Sequence, residues 1–228
     1  MLIGGLQKTT LLDYPGKVAA TIFTVGCNFR CLFCYNPDIV KGVSKLIPED
    51  EVFSFLKKRS KLLDGVCLTG GEPTLQRGII GFIEKLKALK LLVKLDTNGQ
   101  NPDLLEKLIG RKLIDYVAMD IKAPWENYQK VCCRPLDLTA IKKSVIILKR
   151  GKVDYEFRST VLPTLHSVAD LTVMAEQIKG ADKYYFQQFK PSSKLVSDSL
   201  VNEKPFGRRE LGEIVKQFKD WFRICEVR

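Results

Sequence analysis

No stretch of the 228-residue chain approaches the roughly 20 consecutive apolar residues needed to span a bilayer, and the N-terminus carries no basic region followed by an uninterrupted hydrophobic core. A soluble cytoplasmic protein with no membrane partner is expected. Histidine occurs once, as His166, and no second paired Cys/His motif accompanies the cysteines, so a four-ligand zinc site is poorly supplied. Seven cysteines, an odd number in a chain of this size, do not suggest a disulfide framework; reduced thiols fit better. Internal repeats, low-complexity tracts and a clear linker are also lacking. At 45% hydrophobic residues the chain can bury one sizeable core, and a single domain over residues 1–228 follows.

Charge is in excess on one side only: 37 Lys and Arg against 26 Asp and Glu, a net of +11. The basic residues are spread over predicted helices and interleaved with Glu, a pattern of solvated faces more than of a nucleic-acid surface.

Apolar runs rich in β-branched residues alternate with longer amphipathic stretches. Strands are predicted near Val18–Val25, Gly65–Thr69, Leu91–Asp96, Tyr116–Ile121, Tyr155–Val161 and Tyr184–Phe189. Helices are predicted near Pro48–Leu62, Gln76–Leu89, Pro102–Ile109, Leu138–Arg150, Val168–Ile178 and Arg208–Ile224, with a capping-box spacing at Ser167 and Asp170. Such alternation argues for an α/β fold with a parallel sheet. About six βα units are too few for a closed eight-stranded barrel, so a partial (β/α)6 TIM-type barrel is preferred over a flat doubly wound sheet. Lys190–Lys204 reads as a mobile loop.

The chemistry-bearing residues fall at predicted strand ends. Cys27, Cys31 and Cys34 follow the first strand, and three thiolates on one short loop can hold three irons of a cubane cluster while leaving the fourth open. Thr69-Gly70-Gly71-Glu72-Pro73 ends the second, Asp96-Thr97-Asn98-Gly99 the third and Asp120-Ile121-Lys122 the fourth. In an α/β sheet the C-terminal strand ends share one site. Cys67 sits in an apolar strand and reads as core, adjacent Cys132 and Cys133 as free thiols, and His166 as a loop residue. Phe218, Trp221, Phe222 and Ile224 read as the packing face of the last helix.

The spacing of the three cysteines, with Phe33 before the last, resembles the cluster motif of the radical S-adenosylmethionine superfamily, and Gly70-Gly71-Glu72-Pro73 is similar to its second motif. More narrowly, Leu6–Lys17 followed by the cysteine loop resembles the opening of anaerobic ribonucleoside-triphosphate reductase activating proteins, in the longer branch of that family. The resemblance implies a radical SAM core holding a [4Fe-4S] cluster on Cys27, Cys31 and Cys34. S-adenosylmethionine would be cleaved reductively to make a glycyl radical on a partner enzyme, with a flavodoxin or ferredoxin-type electron donor. It also implies roles in cofactor binding. Phe33 would touch the adenine, Gly70 and Gly71 would let backbone approach the methionine group, and Glu72 would accept from its ammonium. Thr97 and Asn98 would meet the ribose or the methionine carboxylate, which Lys122 could neutralise. Arg158 and Gln188 (or Gln187, one register step away) would complete the wall, and Asp96 and Asp120 would hold a monovalent cation. No auxiliary cluster is expected, because the cysteine-rich insert of many glycyl-radical activases is missing. Two other readings are a radical SAM enzyme acting on a small molecule, as in deazapurine synthesis, and a zinc-stabilised nucleic-acid-binding module.

Overall fold

The computed structural model describes residues Met1–Arg228. Eight strands form one sheet in the order of the sequence: β1 (Ile3–Thr10), β2 (Ala19–Thr24), β3 (Gly65–Gly70), β4 (Leu92–Thr97), β5 (Tyr116–Asp120), β6 (Asp154–Val161), β7 (Lys183–Gln188) and β8 (Ile224–Val227). β1 pairs antiparallel with β2, and every later neighbour pair is parallel. A doubly wound sheet would reverse its strand order at a switch point; this one never reverses and does not close between β1 and β8. The result is an open barrel, with the six predicted strands recovered as β2–β7.

Eight helices accompany the strands: α1 (Pro37–Lys41), α2 (Glu49–Arg59), α3 (Ile79–Ala88), α4 (Pro102–Gly110), α5 (Tyr128–Cys132), α6 (Leu138–Lys149), α7 (Val168–Gln177) and α8 (Arg208–Lys216). Alternate strand residues point to opposite sheet faces. Ile22, Leu68, Leu95, Met119, Phe157 and Phe186 join the main core with helix residues such as Leu56, Phe82, Leu108, Leu148 and Met174. The other face carries Thr69, Lys94, Asp96, Asp120, Arg158 and Thr160, so the concave side of the barrel is polar. No helix is long and apolar enough to cross a membrane.

Apart from the short helices α1 and α5, which no periodic run announced, the differences in strands and helices lie at the chain's two ends. β1 contains Gly4, Gly5 and a polar stretch, so no apolar run announced it; pairing with β2 makes it a strand. The last helix stops at Lys216 rather than continuing to Ile224, a single 3-10 turn spans Lys219–Trp221, and Ile224 enters β8 beside Lys183. Helical periodicity through this segment is overridden by sheet pairing, which satisfies backbone groups along β7. Phe218 and Phe222 still pack in the core, while Trp221 is half-buried.

Candidate active site at the strand ends

The loop after β2 carries the three cysteines and is held from several directions. Arg30 Nη1 donates to the carbonyls of Cys27 (2.6 Å) and Phe29 (2.8 Å), and its backbone N–H donates to Cys132 O at 2.8 Å. Val196 and Ser197 donate through their backbone N–H groups to Cys34 O (3.0 Å) and Leu32 O (3.1 Å). Lys190–Lys204 is therefore not the free loop expected from its polarity: buried Leu195 and Leu200 anchor it as a strap over the cysteine loop. Cys132 lies fully buried on α5, close enough to Cys31 to act on its thiol. Cys133 is exposed, and all seven cysteines are free.

Cys27, Cys31 and Cys34 line one cavity together, yet no three or more His, Cys, Asp or Glu side chains converge tightly enough for a single metal ion. Three thiols on one loop can hold three irons of a cluster, whereas a structural zinc ion usually takes four Cys or His ligands. Burial, then nearby Glu72, pushes the Cys27 thiol up to about 12; burial raises Cys34. The neighbouring Cys132 thiol, and then Lys122, bring Cys31 down despite its burial. A bound cationic metal centre favours the deprotonated thiolates that burial disfavours.

The Gly70-Gly71 turn, which lines the cavity, also brings two backbone segments together. Gly70 has φ +109°, and a Cβ on Gly71 would lie 2.0 Å from the Gly26 carbonyl oxygen. The glycines let the end of β3 close onto the start of the cysteine loop, where Gly71 N–H donates to Thr24 O and Glu72 N–H to Gly26 O, both at 2.8 Å. Glu72 is thereby placed inside, 1% exposed. Its Oε1 accepts from Thr74 N–H (3.1 Å), Thr74 Oγ1 (2.5 Å) and Thr97 Oγ1 (2.8 Å), and its Oε2 accepts from Asn98 N–H at 2.7 Å. Burial raises its pKa, partly offset by these bonds. Oε1 is saturated; Oε2 retains acceptor capacity toward the cavity.

Across the barrel, Arg158 bridges the two aspartates, with Nη1 3.2 Å from Asp96 Oδ2 and Nε 3.0 Å from Asp120 Oδ1. Lys94 pairs with Asp96, and Lys122 Nζ with Asp120 at 2.9 Å. Burial would raise the Asp120 carboxyl, but Arg158 and Lys122 outweigh it and hold it at about 2. Burial likewise opposes the ionised form of Asp96, and Arg158 and Lys94 win. The expected pair of open cation ligands is thus already neutralised by side chains, a partnership that strand-end positions alone did not disclose.

Of the residues singled out in the sequence, Phe33, Gly70, Gly71, Glu72, Asp96, Thr97, Asn98, Asp120, Lys122 and Arg158 line the same cavity as the cysteines. Gln188 does not. Its amide turns to the outer side and donates to Phe206 O at 2.6 Å, whereas Gln187 accepts from Thr160 Oγ1 at 3.4 Å. Period-two alternation from Arg158 makes Thr160 the inward residue of β6, and pairing with Thr160 selects Gln187 on β7. Phe29, Tyr35, Asn36, Val40 and Thr160 also line the cavity and were not singled out; only the Arg158–Thr160 alternation could have signalled one of them. His166 is buried, its Nδ1 accepting from Leu162 N–H (3.3 Å) and its Nε2 donating to Lys122 O (2.8 Å). It fixes the loop beneath Lys122 rather than facing the cavity.

Residues 21–171 match the family model of the radical SAM superfamily. A protein of Methanocaldococcus jannaschii named as a glycyl-radical enzyme activating enzyme is 34% identical over 227 residues, covering 96% of this chain and 93% of that protein. A 7-carboxy-7-deazaguanine synthase of Clostridium acetobutylicum is 34% identical over 123 residues, covering 50% of this chain and 53% of the synthase. Among solved structures, Streptococcus suis SuiB bound to S-adenosylmethionine superposes with a TM-score of 0.67 at 13% identity, over 89% of this chain and 48% of that one.

Proposed function

The chain belongs to the radical SAM superfamily, and on that premise we propose that it is an activase that generates a glycyl radical on a partner enzyme. The observation that carries the proposal is the enclosure of three thiols and the half-free Glu72 carboxylate in one strand-end cavity. Cys27, Cys31 and Cys34 would hold a [4Fe-4S] cluster, which when bound supplies the single electron that cleaves S-adenosylmethionine reductively. Glu72 Oε2 would accept from the ammonium of the methionine moiety. Thr74, Thr97 and Asn98 hold that carboxylate in place and partly offset the burial that raises its pKa. Lys122, 5.7 Å from the Phe33 ring and paired with Asp120, would meet the methionine carboxylate. Phe33 and the strap through Leu195 would help exclude water, as radical chemistry requires.

The relative that covers nearly the whole chain bears an activating-enzyme name, whereas the deazaguanine synthase matches over half of it. That difference favours a protein substrate over a small molecule. The segment Leu6–Lys17 supports anaerobic ribonucleoside-triphosphate reductase as the partner, with a flavodoxin or ferredoxin-type donor. Access would be lateral, through the unclosed side of the barrel, where Leu12, Tyr35, Thr160, Gln187 and Arg228 border a second cavity.

The test is anaerobic reconstitution with iron and sulfide, followed by reduction and incubation with S-adenosylmethionine and the reductase. A glycyl radical doublet by electron paramagnetic resonance is expected. Cofactor cleavage without that signal, together with turnover of a purine precursor, would move the protein to the small-molecule reading.

A further inference from the structure

Gln187, near the C-terminal end of β7, borders the second cavity and not the one that holds the three cysteines. The two cavities meet at Tyr35, Arg158 and Thr160, which line both. From that junction Thr160 Oγ1 donates to Gln187 Oε1 at 3.4 Å. With its oxygen engaged there, the Gln187 side chain keeps both amide hydrogens for the cavity, and neither has an acceptor within the chain.

The other polar groups around the second cavity are already engaged. Asp13 Oδ2 accepts from Thr21 Oγ1 (2.5 Å), and Glu156 accepts from Tyr116 OH (2.9 Å) and Arg228 Nη1 (3.1 Å). Arg158 is held between Asp96 and Asp120, and Gln188 donates to Phe206 O. Gln187 is thus a half-buried neutral donor left without a partner, and the natural acceptor for such a group is a carbonyl. Leu11 and Leu12 also line this cavity and are 70 and 89% exposed. A chain segment running out of the cavity can cover them, whereas a purine-sized molecule seated inside leaves them in water.

We propose that Gln187 positions the partner enzyme's glycine, its amide donating to a backbone carbonyl of the segment that carries that glycine, with Thr160 orienting the amide. The inference rests on the activase reading. A glycine has no side chain, so the groups nearest its Cα that can be gripped are its backbone amides. Radical formation breaks the Cα–H bond homolytically, the hydrogen atom passing to the cleaved cofactor and the unpaired electron remaining at Cα. The transfer needs the donor and acceptor atoms close and aligned, and a carbonyl held by one fixed donor stops the peptide from rotating its Cα–H bond away. A neutral amide does this without adding a charge beside the Asp96, Arg158 and Asp120 network.

The experiment incubates the reconstituted, reduced protein with S-adenosylmethionine and the anaerobic reductase, and counts glycyl radicals by electron paramagnetic resonance against the deoxyadenosine formed. Gln187→Leu should lower the radical yield per deoxyadenosine by about 5-fold, the scale of one lost neutral hydrogen bond, and raise the reductase concentration at half-saturation. Gln187→Glu, whose carboxylate fills the same space but cannot donate, should be impaired to a similar degree, and Thr160→Val less so in the same direction. A merely structural role would lower iron content or cofactor affinity instead, so iron analysis and equilibrium binding accompany each variant. Wild-type coupling in Gln187→Leu or Gln187→Glu would overturn the assignment, as would a Gln187→Leu defect confined to S-adenosylmethionine affinity. A wild-type protein that cleaves the cofactor and leaves no radical on the reductase would instead sink the activase reading, and this role with it.

Discussion

Thr97 Oγ1 donates to Glu72 Oε1 at 2.8 Å, joining the end of β4 to the turn that follows β3. With Thr74 on the same oxygen and Asn98 N–H on the other, the carboxylate is fixed before any ligand arrives, which is what a preorganised ammonium site requires.

Glu72→Ala should therefore leave iron incorporation intact while weakening S-adenosylmethionine binding by about 10-fold or more, the scale of a lost hydrogen bond to a charged group at about 1.5–3 kcal/mol. Thr97→Val should cost less, about 1 kcal/mol in affinity. Equilibrium binding to the reconstituted proteins measures both, and equal affinity of Glu72→Ala and wild type would remove the ammonium contact.

Gly71→Ala places a methyl group against the Gly26 carbonyl. Backbone at that contact cannot give way as a side-chain tip could, so the turn must shift. The expected outcome is a loss of about 1–3 kcal/mol of stability together with reduced iron content. Urea unfolding and iron analysis report the two effects separately.

Val196→Pro removes the N–H that caps Cys34 O while leaving the side-chain anchors Leu195 and Leu200 in place. A loosened strap should release iron to a chelator faster than wild type does, with little change in the unfolding midpoint. Identical release kinetics would show that the strap does not secure the cysteine loop.

Arg158→Met leaves Asp96 and Asp120 partly buried with only Lys94 and Lys122 to face them. Removing one partner of a buried ionic network costs about 3–5 kcal/mol, and denaturant unfolding should show a loss of that order. The wild-type protein, with Arg158 between the carboxylates, should bind S-adenosylmethionine equally well in sodium and potassium buffers; a marked preference for one cation would restore the expected ion site.

Burial holds the His166 pKa below its ordinary value, so the unfolded chain takes up its proton first as pH falls. The sign follows from linkage: stability is insensitive to this group above about pH 6.5, and declines as pH drops below it until the folded-state pKa is reached. His166→Gln should flatten that decline between about pH 7 and pH 5 when unfolding is followed anaerobically, and a slope identical to wild type would assign the acid sensitivity to other groups.

The local sequence determined β2–β7 and most of the helices between them, because continuous apolar runs and amphipathic periods are properties of neighbouring residues. It also determined which strand ends bear chemistry: the cysteine loop, Gly70–Glu72, Asp96–Asn98 and Lys122 all face one cavity. What the tertiary structure alone decided involves partners far apart in the chain. The strap from Lys190 onward reaches Cys34, Cys132 reaches Cys31, and Arg158 stands between two aspartates that a purely local reading left free. The same holds for Gln187 over Gln188 and for β1 and β8. A one-residue register and an edge strand are fixed by the neighbour they pair with, and that neighbour is nowhere near them in sequence.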